Sequence, residues 1–468
     1  MTVDLVIVGA GPAGMAAAAL AGELGLDTML VDEQEGPGGQ IYRSVERAPA
    51  DTPLGRDYLA GRGLAAALRK SRIDYRPATT VWHIDADLTL YLAGEGRTET
   101  VGARRIVLAS GAIERPVPIA GWTLPGVMTA GAAQTLLKTA DLVPEGRIVL
   151  AGQGPLLTLV AVQLARAGAP PALLLETTPP ENSREALRRW RTLWPGRRML
   201  AKGAGLRRAL ARSGVPVRRG VRGLAALGRG GLERVRWEGG ESAADHLFLH
   251  EGVIPNVQAS LALGLAHKWD EAQACWRPVL DEWGRSSLAG LAIAGDGGGI
   301  AGAAAAALSG RLAALDAAAA LSRISEEDCR RRAAPIRAAL ARERALRPFL
   351  DCLYHPAPEV LAPRADDIIA CRCEEVTVGN IRRAARLGAP GPNQAKAFTR
   401  CGMGPCQGRI CGPIVAAVMA DALAKPIAEI GTFRPRAPWK PLTVAALAGL
   451  DLDSPGELQS TASEGPKA

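Results

Sequence analysis

Cys371, Cys373, Cys401, Cys406 and Cys411 fall within one short stretch near the C-terminus, whereas the first half of the chain holds no cysteine. Thiolates at this density suit a soft metal centre. A C-x-C turn followed by a C-x-x-x-x-C turn can aim four sulfurs at one volume, which leaves one of the five thiols spare. Two donor chemistries fit such a set, an iron–sulfur centre and a structural zinc. Cys275, Cys329 and Cys352 stand alone and read as buried or incidental thiols.

The elements that must position this site begin with Asp4-Leu5-Val6-Ile7-Val8-Gly9-Ala10-Gly11-Pro12-Ala13-Gly14, an apolar strand running into G-x-G-x-x-G. An alanine-rich helix follows, and a second buried strand ends at Asp32. That is a βαβ unit in which Gly9, Gly11 and Gly14 admit a pyrophosphate and a close helix. Asp32, with Glu33 beside it, lies where a carboxylate accepts the adenosine ribose hydroxyls. A redox dinucleotide upstream favours iron–sulfur over zinc for the cysteine site.

Two further segments point to a flavin. Arg105-Ile106-Val107-Leu108-Ala109-Ser110-Gly111-Ala112 resembles the second motif of two-dinucleotide-domain flavoproteins. Leu291-Ala292-Ile293-Ala294-Gly295-Asp296-Gly297-Gly298 resembles their last flavin motif, which implies that Asp296 contacts the ribityl chain and the next helix aims its N-terminus at the pyrophosphate. Gly38-Gly39-Gln40 fits the loop beside the pyrophosphate and ribityl chain. FAD is the expected cofactor. The chain has no cysteine before Cys275, so it lacks the paired thiols that a disulfide reductase of this architecture sets against the flavin.

Between these flavin segments, Arg147 to Leu157 repeats the pattern of strand and glycine turn at Gly152 and Gly154, and a later strand ends at Glu176. Leu157 stands where the third glycine would allow the closest helix–strand approach. This unit is either a second nucleotide site, holding NADH or ATP, or a structural relic. Glu176 would favour an unphosphorylated ribose. Gly252-Val253-Ile254-Pro255-Asn256 resembles the turn that returns the chain toward the flavin.

Composition narrows the remaining classes. The 468 residues carry a net charge of +9, an excess of scattered arginine with little lysine and, on this reading, no aromatic interleaving, which argues against a nucleic-acid partner. The densest basic stretch, Arg184 to Arg236, reads as the solvated face of helices, or as a surface for an acidic partner or nucleotide phosphates. No apolar run long enough to span a membrane is free of glycine, proline or charge, and a cytoplasmic protein is expected. The five histidines form no paired or metal-spaced set, so no catalytic acid or base is assigned.

The C-terminal module places Cys371 and Cys373 on a short strand, Thr377 as the N-cap of a helix, and the other thiols in a glycine-rich turn before a final helix. It resembles the bacterioferritin-associated-ferredoxin-like [2Fe–2S] domain, which implies Cys371, Cys373, Cys406 and Cys411 as ligands and Cys401 as the extra thiol. Gly38-Gly39-Gln40-Ile41-Tyr42-Arg43, the degenerate second glycine turn, Gly295-Asp296 and Thr399-Arg400-Cys401-Gly402-Met403-Gly404-Pro405-Cys406-Gln407-Gly408-Arg409 complete a wider pattern. Over residues 1–425 the chain resembles the A-type (alpha) subunits of heteromeric amine-oxidising flavoenzymes, among them opine oxidases, D-hydroxyproline dehydrogenase and a hydrogen cyanide synthase subunit.

That resemblance implies an α/β, Rossmann-like, two-dinucleotide-binding-domain flavoprotein whose second domain is inserted in the first, with a small C-terminal [2Fe–2S] domain. The expected boundaries are 1–140 and 281–325 for FAD, 141–280 for the insert, 326–365 for a helical linker, 366–425 for the cluster domain, and 426–468 for a tail with a disordered end. It also implies a hetero-oligomer in which a glycine-oxidase-like flavoprotein beta subunit oxidises the amine and this chain relays electrons to an external acceptor. Two other readings stand beside it: a stand-alone NAD(P)H-dependent reductase, and a non-catalytic scaffold or iron–sulfur carrier.

Overall fold

The computed structural model describes residues 2–94 and 96–450; the end expected to be disordered, from 451 onward, lies outside them. The first sheet places strands Asp74–Arg76, Thr28–Val31, Thr2–Val8 and Arg97–Leu108 side by side in parallel. Leu291–Ile293 joins Arg97–Leu108 in parallel, and Thr89–Gly94 and Thr80–Ile84 extend the other part of that long strand as an antiparallel meander. From Leu5 to Val8 the central strand is apolar because both of its faces are covered, and Leu5 and Ile7 are fully buried.

Alanine explains the layer above. Helix Pro12–Glu23 lies between the sheet and helix Ala303–Ala320, and small side chains let all three close up. A β-carbon at Gly14 would sit 1.7 Å from the Gly9 carbonyl oxygen, and one at Gly310 would sit 2.0 Å from that of Ala13. Ala303–Ala320 is long and apolar enough to cross a membrane by length and composition. Here it is a core helix, with Ala305, Leu312, Ala314 and Ala318 buried in the main hydrophobic cluster.

The second sheet, Val217–Arg219, Leu173–Glu176, Ile148–Gln153, His246–Glu251 and Val127–Thr129, is parallel throughout. The chain leaves the first domain through Ala112–Glu114 and returns through Val253–Pro255, and these two segments pair antiparallel. Strand Val127–Thr129 and helix Ala130–Ala140 therefore belong with the second sheet, earlier in the chain than the break expected at 140. The signal is weak because the edge strand is only three residues long.

The cysteine module has its own core, built from Ala370, Val378, Ile381, Ile414, Val415, Met419 and Phe433. Strand Ile369–Cys371 pairs with Val376–Thr377, and Thr377 caps helix Val378–Arg386 in a reciprocal capping box with Asn380. The segment after 425 is packed: Ile430, Phe433 and Trp439 are buried, and Trp439 Nε1 donates to the Val81 carbonyl at the first sheet.

Lys138, on helix Ala130–Ala140, is a buried cation at the domain junction. Its Nζ donates to the Gln40 carbonyl at 2.9 Å and to Gln134 Oε1 at 2.7 Å. Gln134 in turn donates to Gln163 of the second domain, which donates to the Leu54 carbonyl of the first. Burial, then Arg43, pulls the Lys138 pKa down to about 7. The unfolded chain holds this proton up to about pH 10.4. Between those values the unfolded state binds more protons, so the cost of burying Lys138 is fully present below pH 7 and fades as pH rises toward 10. The melting temperature of the wild type, measured relative to Lys138→Met, should accordingly rise by roughly 2–4 °C or more from neutral pH to about pH 9.5. Parallel pH profiles for the two proteins would contradict this account.

Candidate functional site

The glycines of the first site divide by what a side chain would meet. Gly9 and Gly14 face protein: a β-carbon at Gly9 would lie 2.6 Å from the Ala109 carbonyl oxygen. Gly11, Gly111 and Gly302 face open space, with nothing nearer than the Gly39 Cα at 3.8 Å from Gly11. Gly39 closes over Gly11 with φ +59°, and its own β-carbon would fall 2.8 Å from the Gly11 Cα. The groove between these backbones fits a pyrophosphate, which needs N–H groups and no side chains at that approach.

Carboxylates stand around that groove. Asp32 is buried and accepts the N–H groups of Ala10 and Gln34, the latter at 2.7 Å, so it is fixed at the glycine turn as a ribose acceptor requires. Burial nonetheless raises its pKa above the ordinary carboxylate value, against those two hydrogen bonds. Glu33 points elsewhere: its carboxylate pairs with Lys440 at 2.6 Å and ties the tail to the first domain. Asp296 Oδ1 accepts the N–H groups of Ala301 and Gly302 at 2.9 and 3.0 Å, at the start of helix Ala303–Ala320. Its Oδ2 has no partner among the described residues, as a contact to a ribityl hydroxyl requires. Gln40 is exposed beside Gly39, with its carbonyl held by Lys138.

The second glycine turn is built differently. Gly152 packs on its neighbour strand, where a β-carbon would lie 1.9 Å from the His250 carbonyl oxygen, while Gly154 approaches only the His250 ring at 3.8 Å. Leu157, in the first turn of helix Pro155–Arg166, is buried among Ile148, Leu150, Leu174 and Phe248 and so serves the core rather than a ligand. Glu176 is engaged by Arg219 at 3.2 Å and Arg207 at 3.8 Å. The segment after helix Arg347–Leu353 lies across the turn, where the His355 carbonyl accepts from Asn182 Nδ2 at 2.9 Å and Gln153 Nε2 at 3.3 Å. A cavity of about 90 Å³ lies beside Gln153, Gly154, Thr158 and Glu176. Pockets that enclose a drug-sized ligand run to ~300 Å³ or more.

Three of the five C-terminal cysteines converge, and the other two lie beside them. The sulfurs of Cys371, Cys401 and Cys411 lie within 4.8 Å of one another and are buried. Cys373 is exposed and hydrogen-bonds Cys406, which is half-buried. Cys401, expected from the sequence to be the extra thiol, is thus inside the same sulfur pocket. Hydrogen bonds from Cys401 and then Cys411 pull the Cys371 thiol down to about 2, and the Gly402 and Glu374 N–H groups also point at its sulfur. The same contacts with Cys371 push the Cys401 and Cys411 thiols up. Gly404 must be glycine, because a β-carbon there would lie 3.0 Å from the Cys373 sulfur. A soft metal centre fits this set: several thiols, one poised as thiolate, with backbone N–H groups aimed at sulfur.

Phe433 and Gln258 escape sequence reasoning. The Phe433 ring is the floor under the cysteine loop, where β-carbons at Gly408 and Gly402 would come within 2.4 and 2.7 Å of it, and Lys396 Nζ sits 4.9 Å above its face. Buried Gln258 donates to the Cys406 carbonyl at 3.1 Å and accepts from Arg409 at 3.4 Å. Two residues earlier, the Asn256 N–H donates to the carbonyl of Gly111 at the flavin turn. Neither residue belongs to a motif, and the one available signal is that Gln258 follows Gly252-Val253-Ile254-Pro255-Asn256.

Residues 3–310 match the pyridine nucleotide-disulphide oxidoreductase family, and residues 370–450 match the sarcosine oxidase A3 domain. The opine oxidase A subunit of Agrobacterium tumefaciens (strain Ach5) is 44% identical over 96% of this chain and 92% of its own length. The chain belongs to the family of opine oxidase A subunits. Hydrogen cyanide synthase subunit HcnB of Pseudomonas aeruginosa is 34% identical over 97% of this chain and the whole of its own. Among solved structures, L-proline dehydrogenase from P. horikoshii superposes with a TM-score of 0.72 at 19% identity, covering 96% of this chain and 80% of that one. The fold is that of a two-dinucleotide-domain flavoprotein, and the protein is an FAD-binding oxidoreductase of that class.

Proposed function

We propose that this chain is the alpha subunit of a heteromeric flavin-dependent dehydrogenase for a secondary amine or D-imino acid, of the opine or D-hydroxyproline type. The amine is oxidised on a glycine-oxidase-like flavoprotein partner in the cytoplasm, and this chain relays the electrons to an external acceptor. A flavin can take electrons as a pair and give them up one at a time, and a [2Fe–2S] centre carries one, so the two together would connect a two-electron donor to a one-electron acceptor. Gly11, Gly39, Gly111, Asp32, Gln40 and Asp296 bind the FAD, and Cys371, Cys373, Cys406 and Cys411 hold the cluster, with Cys401 behind them. Glu33 supports the ribose site only indirectly, through the tail.

The observation that carries the relay reading is the link between the two sites. A hydrogen-bonded path of a few residues runs from Gly111 through Asn256 and Gln258 to the Cys406 carbonyl. The second domain braces the cysteine module as well: Trp122 Nε1 donates to the Ile369 carbonyl at 2.7 Å, and the Arg372 guanidinium lies 5.3 Å from the Trp122 ring centroid. Such clamps hold two redox groups at a fixed separation, which a scaffold has no need to do. The second nucleotide turn, with Gly152, Gly154 and Glu176, is the weaker partner in this reading. Its small cavity and arginine-paired Glu176 favour a relic over a bound NADH or ATP.

The test is anaerobic and uses the purified chain. NADH should leave the flavin band unbleached, and a secondary amine should leave dye unreduced until the partner subunit is co-expressed. Rapid bleaching by NADH would instead make the chain a self-contained reductase. Amine turnover by the isolated chain would move the chemistry onto it.

A further inference from the structure

The helical segment between Arg184 and Arg212 is left unused by the cofactor sites apart from Arg207. It carries ten basic residues and one acidic residue, a net charge of +9 that equals that of the entire chain. Three of these cations have acidic partners among the described residues: Arg188 with Glu185, Lys202 with Asp57, and Arg207 with Glu176. Arg184, Arg189, Arg191, Arg197, Arg198, Arg208 and Arg212 have none there.

Large apolar side chains stand among these charges. Leu187, Trp190 and Trp194 are 63%, 64% and 77% exposed; Leu187 ends helix Pro180–Leu187, Trp190 opens the 3-10 turn Trp190–Thr192, and Trp194 stands in the turn before helix Arg197–Arg212. Arg191 lies over the Trp190 ring at 5.7 Å and Arg197 over that of Trp194 at 5.2 Å. The following helix, Arg197–Arg212, spans sixteen residues, of which Leu210 is the buried one. A merely solvated helix face explains the arginines but leaves two exposed indoles without a reason.

We propose that this segment is a docking element for the surface of a membrane rich in anionic phospholipid. Guanidinium groups make paired hydrogen bonds to phosphate, and indoles settle at the level of the headgroups, so arginine beside tryptophan matches both layers of that interface. Reversible attachment takes two weak signals together, apolar insertion and a polybasic patch, and this segment supplies both. Seven arginines without acidic partners among the described residues complement a continuous anionic surface, which a bilayer rich in anionic headgroups presents. Docking there would set the oxidoreductase beside lipid-soluble electron acceptors.

The experiment uses the full chain with its flavin and floats it with vesicles at low salt. Binding should be strong to phosphatidylcholine vesicles containing about one third phosphatidylglycerol, absent with phosphatidylcholine alone, and lost in high salt. The double variant Trp190→Ser, Trp194→Ser should reduce the bound fraction by about tenfold, and Arg191→Glu with Arg198→Glu by at least as much. Flavin content and melting temperature report that these variants are folded. Arg330→Glu with Arg331→Glu, exposed residues in the first turns of helix Glu326–Arg344 and outside the basic segment, should bind as the wild type does. Equal binding to both vesicle types, undiminished binding by the tryptophan variant, or an equal loss in the control would overturn the proposal. So would a protein that never binds vesicles but fails to assemble with its partner when the tryptophans are changed.

Discussion

Replacing Cys371 or Cys411 with serine should strip the C-terminal site of its metal. Serine offers a hard alkoxide in place of a soft thiolate, and both sulfurs are buried, where water cannot substitute for the lost ligand. The wild-type protein should be reddish-brown, hold about two irons and two acid-labile sulfides per chain, and give a rhombic paramagnetic resonance signal after reduction. Cys373→Ser and Cys406→Ser should weaken the centre as well, and Cys401→Ser should retain it. Retention in Cys406→Ser with loss in Cys401→Ser would exchange those two roles and make the buried trio the heart of the site. Stoichiometric zinc without sulfide would remove the iron–sulfur assignment altogether.

Gly11→Val should yield folded protein that has lost its FAD. A β-carbon at Gly11 meets no protein atom closer than 3.8 Å, so the cost falls on the pyrophosphate that must approach this backbone. Retention, read as flavin absorbance per protein after dialysis, should fall by about tenfold or more, a loss of at least ~1.4 kcal/mol in affinity. Asp296→Ala should act similarly, because it removes the brace to Ala301 and Gly302 together with the proposed ribityl contact. Gly14→Ala separates binding from folding. Its β-carbon would fall 1.7 Å from the Gly9 carbonyl oxygen, so that variant should fail to accumulate as folded protein. Full flavin content in Gly11→Val would mean that the pyrophosphate lies elsewhere.

The contrast between Gly11 and Gly14 marks how far a motif can be read. Both glycines are visible in G-x-G-x-x-G, but one makes room for a ligand and the other for a carbonyl oxygen. Spacing along the chain does not distinguish them. The same holds at the second turn, where Gly152, Gly154 and Glu176 read as a nucleotide site. The arginines that engage Glu176 come from residues 207 and 219, and the segment that lies across Gln153 comes from residues 353–355. No local pattern announces them.

What the sequence determined by itself is everything carried by short-range periodicity and spacing: the βαβ units, the FAD-type motifs, the capped helix after Thr377 and the density of thiols. These follow from backbone geometry and apolar alternation within a dozen residues. Only the tertiary structure decided which groups meet. It brought Cys401 into the pocket with Cys371 and Cys411, turned Glu33 to Lys440, set Phe433 beneath the cysteine loop, and joined Gln258 to Cys406. Those contacts link residues distant in the chain, and their positions are set by how helices and sheets pack rather than by any preference of the residues themselves.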